Sequence, residues 1–455
     1  MATTYYDFGA ATNGAGTSAD PKNTWATPGN GDVIRIKRGC TWTRATQLNL
    51  STFTGLTFEA WYNSDGSDAP DQPKPIITHT AASTFAWNFQ GDGTHKIYDL
   101  HFLNCTTNTN GGVVGSGLVA ATSANASIEV YRCDFEGINY SAIRFGGTGA
   151  AAAPRCVVKH CTFDDIGEDA IYGGALYYEV AYCRMTQLSM STTTGDGIGF
   201  LGVDPTTVRI HHNYIDHSDV DKKHCVIIDT TTPGAGDVVI EDNEFIGYGS
   251  ATAEASSHTV VNGDAKMIIR RNVVRSAGIA INLGGASSEV YSNLIIATNI
   301  RAASPGIVTV QASSCLVNNN TLYAASALPA AGRGVDIATG TTGTVARNNL
   351  FVGIPIAVRS ASTAANPTVS TNAFSDVTTQ YSSAGDAFTS TGDVTADPLL
   401  STSYRPLQGS PLMPDAEGNG GGTFISYASR DINRIQRPNP PSIGAHDVAT
   451  MRLEP

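Results

Sequence analysis

Four short segments of the chain place an acidic or imidazole side chain directly before a run of small and apolar residues. They are Asp169 before AIYGG, Asp196 before GIGFLG, His224 before CVIID and His258 before TVVNG. Carboxyl and imidazole groups are the side chains that most often move protons in catalysis. If the four segments lie side by side in the fold, these groups form a line of acids and bases.

Two carboxyl groups in such a line would divide the roles of acid and base. Like charges a few ångströms apart oppose each other's ionisation, so one carboxyl stays protonated while the other ionises. Glycoside hydrolysis needs this division. We therefore predict Asp169, Asp196, His224 and Glu168 as catalytic residues. The alternative is that they are ordinary turn residues, because Asp side chains bond the backbone of turns.

Residues that could bind a substrate flank these segments. The connections EGINYS and DDIGED are short, whereas TQLSMSTTTGD, DHSDVDKKH and IGYGSATAEASSH are long. Long loops stacked beside short ones border a cleft, and loops on a rigid scaffold commonly carry binding sites. We predict that substrate is bound by Arg144, Tyr172, Lys223, Asp229 and His258. For Tyr172, the alternative to substrate binding is ordinary side-chain packing on a strand.

A six-residue pattern explains how distant segments become neighbours. The pattern is apolar-x-x-[Asn/Cys]-x-apolar, as in IHHNYI and VYRCDF, and it recurs every 21 to 33 residues. Its fourth position, here called the slot, is occupied by Leu100, Cys133, Cys161, Cys183, Asn213, Asn243, Asn272, Asn293, Asn320, Asn348 and Asn372. A second short apolar run follows each slot. Such a unit cannot bury its apolar face alone, so the units must stack.

Stacking places equivalent residues about 4.8 Å apart. The slot asparagines are then expected to form an internal ladder, in which each side-chain amide bonds the next coil and the turn backbone. Cysteine tolerates burial, and we expect Cys133, Cys161 and Cys183 to be buried and reduced.

The repeat resembles that of right-handed parallel β-helix proteins such as pectate lyases, polygalacturonases and phage tailspikes. The resemblance covers residues 97–374 and implies an all-β, single-stranded right-handed parallel β-helix of about ten to thirteen rungs with N- and C-terminal caps. We predict a cap and first rung over residues 1–55, the β-helix over 56–377, and a last rung and cap segment over 378–455.

Two further resemblances concern the tail and the acidic segments. The tail carries a GSP motif (Gly409–Pro411), an Arg437–Pro438 pair and an IGA motif (Ile443–Ala445), which recur in the terminal segments of bacterial and phage β-helix proteins. The segments EDAI and GDGI resemble the aspartates that polygalacturonases carry on neighbouring rungs. The wider polygalacturonase motifs are absent, so this second resemblance transfers geometry alone.

Composition limits the partners. The formal net charge is −12, whereas phosphate binding needs clustered Lys and Arg, so we expect no nucleic-acid partner. The same charge disfavours a strongly anionic ligand unless a local basic patch overrides it. No apolar run reaches the length of a membrane span and MATTYYDFGA lacks the features of a signal peptide, so we expect neither membrane insertion nor a signal peptide.

Metal binding is not expected either. A zinc site made of His211, His217 and His224 would lack the spacing typical of zinc ligands. The eight cysteines form no C-x-x-C pair and do not indicate a disulfide framework in so long a chain. We therefore predict no metal and no cofactor.

Three functions fit these features. The first is a phage tailspike-like depolymerase that binds and cleaves a host cell-surface polysaccharide, with glycoside hydrolysis favoured over lyase chemistry. It implies a homotrimer that contacts other tail proteins and acts on the virion tail, outside the cell. The second is a non-catalytic receptor-binding protein or adhesin on the same scaffold. The third is an extracellular polysaccharide lyase or epimerase, with a base and a charge neutraliser among Lys222, Lys223 and Asp229.

Overall fold

The computed structural model of the chain describes most residues up to 402 and a few beyond. The described residues are 2–46, 48–61, 72–80, 85–89, 91–105, 117–121, 125–145, 153–188, 195–201, 205–218, 224–229, 238–247, 258–263, 265–276, 278–298, 306–363, 367–385, 387–402, 404, 410–412 and 443. They contain no helix long and apolar enough to cross a membrane.

The chain divides into two compact units, one formed by Met1–Arg209 with Asn213–Ile215 and the other by Ile210–His212 with Asp216–Pro455. Each unit contains three parallel sheets, here called A, B and C, and the chain visits A, B and C in turn. Two strands, Thr207–His211 of sheet A and Tyr214–Asp216 of sheet B, contain residues of both units.

In the first unit, sheet A contains Thr3–Tyr6, Val33–Lys37, Thr57–Trp61, Gly93–Tyr98, Ala126–Tyr131, Ala153–Lys159 and Ala175–Ala181. Sheet B contains Thr41–Arg44, Ile76–His79, His101–Leu103, Asp134–Ile138, Thr162–Ile166 and Arg184–Leu188. Sheet C contains Leu48–Asn49, Phe85–Phe89, Gly117–Ala121, Ile143–Phe145, Ile171–Gly173 and Ile198–Leu201.

In the second unit, sheet A contains Val238–Glu241, Met267–Arg270, Glu289–Tyr291, Leu316–Asn318, Val345–Arg347 and Thr368–Ser370. Sheet B contains Glu244–Ile246, Val273–Ser276, Leu294–Ala297, Thr321–Ala324, Leu350–Val352, Ala373–Ser375 and Val394–Thr395. Sheet C contains Val226–Asp229, His258–Asn262, Ile279–Leu283, Gly306–Val310, Arg333–Ile337, Ile356–Ser360 and Thr379–Ser383.

This architecture confirms the prediction of an all-β fold built from parallel coils. Over both units the described strands of sheets A, B and C number 14, 14 and 13, so at most thirteen coils contribute a strand to all three sheets, in agreement with the ten to thirteen rungs expected. Inward and outward side chains alternate along many strands, as in Met267–Arg270, where Met267 and Ile269 are buried. Each coil therefore covers the apolar surface of the next.

The predicted asparagine ladder is observed. In the second unit the backbone N–H of Asn243 donates to Oδ1 of Asn272 at 3.0 Å, and the N–H of Asn272 donates to Oδ1 of Asn293 at 2.9 Å. The same bond continues through Asn320, Asn349 and Asn372. In the first unit the N–H of Cys183 donates to Oδ1 of Asn213 at 2.9 Å.

The ladder also explains a tight turn between sheets A and B. The residue before each slot is in the left-handed region although it is not glycine: φ is 58° at Asp242, 55° at Arg271 and 57° at Ser292. This conformation costs about 1–2 kcal/mol per residue. The slot amide closes the turn, because Nδ2 of Asn293 donates to the carbonyl of Tyr291 at 3.1 Å.

The buried thiols serve the same turn in the first unit. Sγ of Cys133, Cys161 and Cys183 donates to the carbonyl two residues earlier at 3.4, 3.3 and 3.4 Å. All three cysteines are buried and free, as predicted.

One slot was predicted one residue too early. Asn349 rather than Asn348 accepts the N–H of Asn320, at 3.0 Å. The reason is the register of sheet A, in which Ala346 instead of Val345 lies opposite the inward residue Val317. Asn348 is the left-handed turn residue, with φ of 56°.

Specific contacts mark the first coils of the first unit and the last slot of the second unit. At the amino end, aromatic rings stack in the core, with Phe8 and Trp42 at 4.5 Å and Trp25 and Trp42 at 5.1 Å between centroids. At the other end, the N–H of Asn372 donates to Oδ1 of Asp393 at 2.9 Å.

The predicted boundaries after residues 55 and 377 stay a prediction. Val33–Lys37 pairs with Thr57–Trp61, and Ile356–Ser360 pairs with Thr379–Ser383, so strands on both sides of each boundary share a sheet. Of the tail motifs, Ile443 is described and donates its N–H to the carbonyl of Leu412 at 3.1 Å. Gly409 and Arg437–Pro438 lie outside the described residues.

Replacing Asn293 tests the ladder. We expect Asn293→Ala to lower the free energy of unfolding by about 2–4 kcal/mol, because buried N–H and C=O groups on two neighbouring coils lose their partners. Asn293→Cys should cost clearly less, because cysteine fills the equivalent slot at 133, 161 and 183. Urea unfolding followed by circular dichroism measures both. Equal losses in the two variants would contradict the proposed role of the slot.

Candidate functional site

The predicted line of polar groups exists within the first unit, where the chain passes from sheet B to sheet C. Ile143 pairs with Ile171, and Ile171 pairs with Ile198. The N–H of Ala142 donates to the carbonyl of Asp169 at 3.0 Å, and the N–H of Ala170 donates to that of Asp196 at 3.2 Å. Ser141, Asp169 and Asp196 therefore occupy the same position on three successive coils.

Asp169 is held tightly inside this line. Its Oδ1 accepts the backbone N–H of Asp196 at 2.7 Å, and its Oδ2 accepts the hydroxyl of Ser141 at 3.4 Å. The residue is only 4% exposed. Burial raises the pKa of the Asp169 carboxyl well above its ordinary value, and the charges of Asp196 and Glu168 raise it further. This carboxyl fixes the position of the next coil.

Glu168 is the more accessible of the two adjacent carboxyl groups. It is half-buried, and its Oε2 accepts the Ser141 hydroxyl at 3.0 Å. Burial raises the pKa of Glu168, while hydrogen bonds from Ser141 and Tyr140 and the charge of Arg144 act in the opposite direction. A half-buried carboxyl with a raised pKa has the properties of a general acid.

Arg144 and Tyr172 lie on the outer face of sheet C beside these carboxyl groups. The two residues are paired across neighbouring strands, and Cζ of Arg144 lies 4.4 Å from the centroid of the Tyr172 ring. Arg144 is 8% exposed, so its charge acts in a partly dry environment. The structure thus brings together five of the predicted residues: Arg144, Glu168, Asp169, Tyr172 and Asp196.

Ser141 was missing from the predicted catalytic and binding residues. Its hydroxyl contacts both Glu168 and Asp169, and its side chain is fully buried. The signal for it in the sequence was its place at the head of the same line, one coil before Asp169.

The remaining predicted residues belong to the second unit. Val226 pairs with Val260, which places His224 opposite His258 on the neighbouring coil. His224 is buried, whereas Asp229 is exposed. His258 begins a strand of sheet C. Lys223 lies outside the described residues.

In the line of the second unit, Ile356 lies opposite Arg333. Among the described residues, no group of three or more His, Cys, Asp or Glu side chains is arranged to hold a metal ion.

Replacing Asp169 separates its charge from its hydrogen bonds. Because its pKa is higher in the folded chain, ionisation of Asp169 destabilises the fold as the pH rises from the unfolded value toward the folded one. Asp169→Asn keeps an acceptor for the backbone N–H of Asp196 and removes this charge. We therefore expect the variant to be at least as stable as wild type at pH 7.5, with a smaller difference at pH 4. Asp169→Ala should lose about 1–3 kcal/mol. Urea unfolding at the two pH values measures these stabilities. An Asp169→Asn variant as unstable as Asp169→Ala at pH 7.5 would contradict the prediction.

Comparison with known proteins agrees with the observed fold. Residues 232–374 match the family model described as "Right handed beta helix region". Among solved structures, the complex of XylC with xylose is 12% identical, with a TM-score of 0.53 over 98% of this chain and 98% of that chain. A PL6 family alginate lyase, AlyGC, is 14% identical, with a TM-score of 0.44 over 92% of this chain and 55% of that chain.

A mutant of the tailspike protein of E. coli bacteriophage HK620 is 12% identical, with a TM-score of 0.39 over 80% of this chain and 71% of that chain. No curated protein matches the sequence significantly. The parallel coils, the slot ladder and the match over residues 232–374 together show that the chain has a right-handed parallel β-helix fold.

Proposed function

We propose that the protein binds a polysaccharide and cleaves it by glycoside hydrolysis, with Glu168 as the general acid. The observation that carries this proposal is the group of three carboxyl side chains, Glu168, Asp169 and Asp196, on two adjacent coils beside Arg144. Burial keeps the Glu168 carboxyl protonated to higher pH than usual. A protonated carboxyl next to an ionised one is the arrangement that hydrolysis of a glycosidic bond requires.

Each carboxyl group has a distinct role in this mechanism. Glu168 donates its proton to the leaving glycosidic oxygen, while Asp196 acts as the second carboxylate. Adjacent coils lie about 4.8 Å apart, close to the separation of about 5–9 Å at which two carboxyl groups serve one glycosidic bond. Asp169 acts as a positioning residue, because it holds the backbone N–H of Asp196 and the hydroxyl of Ser141.

Binding is assigned to the outer face of sheet C. The Tyr172 ring provides a flat apolar surface for a sugar ring, and Arg144 orients that ring by stacking on it. In the second unit, His224 is proposed as a further catalytic residue, and Lys223, Asp229 and His258 as further binding residues.

The biological setting stays a proposal as well. We place the protein on a phage tail, outside the cell, as a homotrimer that contacts other tail proteins and host cell-surface polysaccharide. Light scattering on the purified protein tests the trimer.

A receptor-binding protein without catalysis is the second candidate. The burial of Asp169 and Arg144 favours it, because carboxyl and guanidinium groups held by internal contacts can stabilise a binding surface without doing chemistry. The two candidates differ in whether a bound glycan is cleaved.

Replacing Glu168 tests the hydrolytic proposal. On a polysaccharide from a panel of capsular polysaccharides and O-chains, we expect Glu168→Gln to lower the cleavage rate by about 10²–10⁴-fold and to leave binding nearly unchanged. Reducing-end release and affinity electrophoresis measure the two properties. Glu136→Gln is the matched control, because Glu136 lies on sheet B of the same unit with its side chain 52% exposed. A panel member that is bound but never cleaved would support the receptor-binding alternative, and a rise in ultraviolet absorbance would support a lyase.

The charge of Arg144 should set the upper pH limit of activity. Arg144 lowers the pKa of Glu168, so Arg144→Gln should raise that pKa and move the alkaline fall in the cleavage rate to higher pH. Arg155→Gln is the control, because Arg155 also lies over a tyrosine, Tyr177, at 4.3 Å, but on sheet A. The pH profile of kcat/KM measures the shift. An unchanged alkaline limb in Arg144→Gln would show that Glu168 does not control it.

A further inference from the structure

A second polar surface lies on sheet C within the second unit. Its outward side chains form one column across five neighbouring strands, each about 4.8 Å from the next. The pairing of the strands places the members in the order Asn282, Thr309, Asp336, Arg359 and Ser382. We call this set the polar column.

Arg333 joins the polar column through an irregularity in its strand. Gly334 faces the core, because a Cβ at this position would lie 2.7 Å from Cδ1 of Phe351, and the next residue, Val335, is also buried. Two successive inward residues leave both Arg333 and Asp336 on the outer face. Gly306 lies opposite Arg333 on the preceding coil and presents no side chain there.

The charges in the polar column do not balance. Nη1 of Arg333 donates to Oδ2 of Asp336 at 2.7 Å, and Nη1 of Arg359 donates to Oδ1 of the same carboxylate at 3.1 Å. Two guanidinium groups therefore share one carboxylate, which leaves a net positive charge in a chain whose formal charge is −12. Nε of Arg333 is buried and has no hydrogen-bond partner among the described residues.

The surroundings make this charge available to a ligand. The side chains of Arg333 and Arg359 are 19% and 31% exposed, so both are partly desolvated but reachable. A guanidinium presents its N–H groups as a planar fork that matches a carboxylate. Thr309 donates its hydroxyl to Oδ1 of the buried Asn282 at 2.6 Å. Thr309 and Ser382 therefore present hydroxyl oxygens along the same line, which can accept hydrogen bonds from sugar hydroxyls.

We propose that Arg333 and Arg359 bind the carboxylate of an acidic sugar in the polysaccharide, and that the polar column bonds the neighbouring hydroxyl groups. The identity of the ligand as a glycan rests on the proposed function, but binding at this site does not require cleavage. The local positive charge overrides the overall negative charge that disfavours an anionic ligand.

Affinity electrophoresis tests the site. The probes are gels containing polygalacturonate, dextran sulfate or neutral dextran. We expect wild type to be retarded most by polygalacturonate, and the double variant Arg333→Gln, Arg359→Gln to lose about 10-fold in affinity for it. Arg275→Gln is the control for loss of a positive charge elsewhere, since its side chain is 43% exposed on sheet B of the same unit, and it should bind as wild type does.

Replacing the shared carboxylate gives a second measurement. Asp336→Asn keeps the shape of the site and frees both guanidinium groups, so it should bind polygalacturonate several-fold more tightly. If the three residues formed only a structural ion-pair cluster, this variant would lose stability without any gain in affinity. Circular dichroism confirms that each variant is folded.

Several results would overturn the inference. One is equal retardation of wild type by polygalacturonate and by neutral dextran. Another is equal retardation by polygalacturonate and by dextran sulfate of matched charge. The third is a loss of affinity in Arg275→Gln as large as that in the double variant. The outcome is separable from that of the catalytic proposal. Retardation that depends on Arg333 and Arg359 but comes without cleavage of any glycan would uphold this site and reject hydrolysis.

Discussion

The hydrogen bond from each slot residue to the next coil is the constraint on which the rest of the structure depends. The chain must change direction sharply between sheets A and B, and it does so with a left-handed residue such as Ser292. The following side chain, here Asn293, compensates by bonding the turn and the neighbouring coil together. Because this bond fixes the register at the turn, it also fixes which residues share a face in all three sheets.

The candidate site is a direct product of that register. Ser141, Asp169 and Asp196 are far apart in sequence, and they meet because their coils are stacked without offset. Stacking places negative groups close together and buries them, which is why the pKa of Asp169 and the pKa of Glu168 are both raised. The fold thus raises the pKa of both carboxyl groups by packing.

Much of the fold could be predicted from the sequence, because the slot pattern reports a buried hydrogen bond that repeats. The pattern failed at Asn348, where two adjacent asparagines fit the slot and only the pairing of Ala346 with Val317 decides between them. Such a choice depends on neighbouring strands and is not visible in one segment.

The candidate site could be predicted from the sequence only in part. The alignment of Asp169 with Asp196 followed from the repeat. The burial of Asp169 and its bond to Ser141 depend on the direction of side chains, which the repeat does not specify. The cluster around Asp336 was not anticipated at all, since it arises from an irregular strand in which Gly334 and Val335 both face the core.

The hydrogen bonds of the ladder in the second unit all run in one direction, and Asp393 accepts the last of them. Every slot N–H in the second unit points toward the following coil, so the aligned amides present their positive ends in one direction. Asp393 receives the last of these N–H groups with a carboxylate, as an anion does at the start of a helix. The Asp393 side chain lacks the Nδ2 group through which Asn293 and Asn320 also donate to the next slot oxygen. A further coil stacked here would lose that side-chain bond and meet a carboxylate, which disfavours end-to-end polymerisation with another molecule, a hazard of every open parallel sheet.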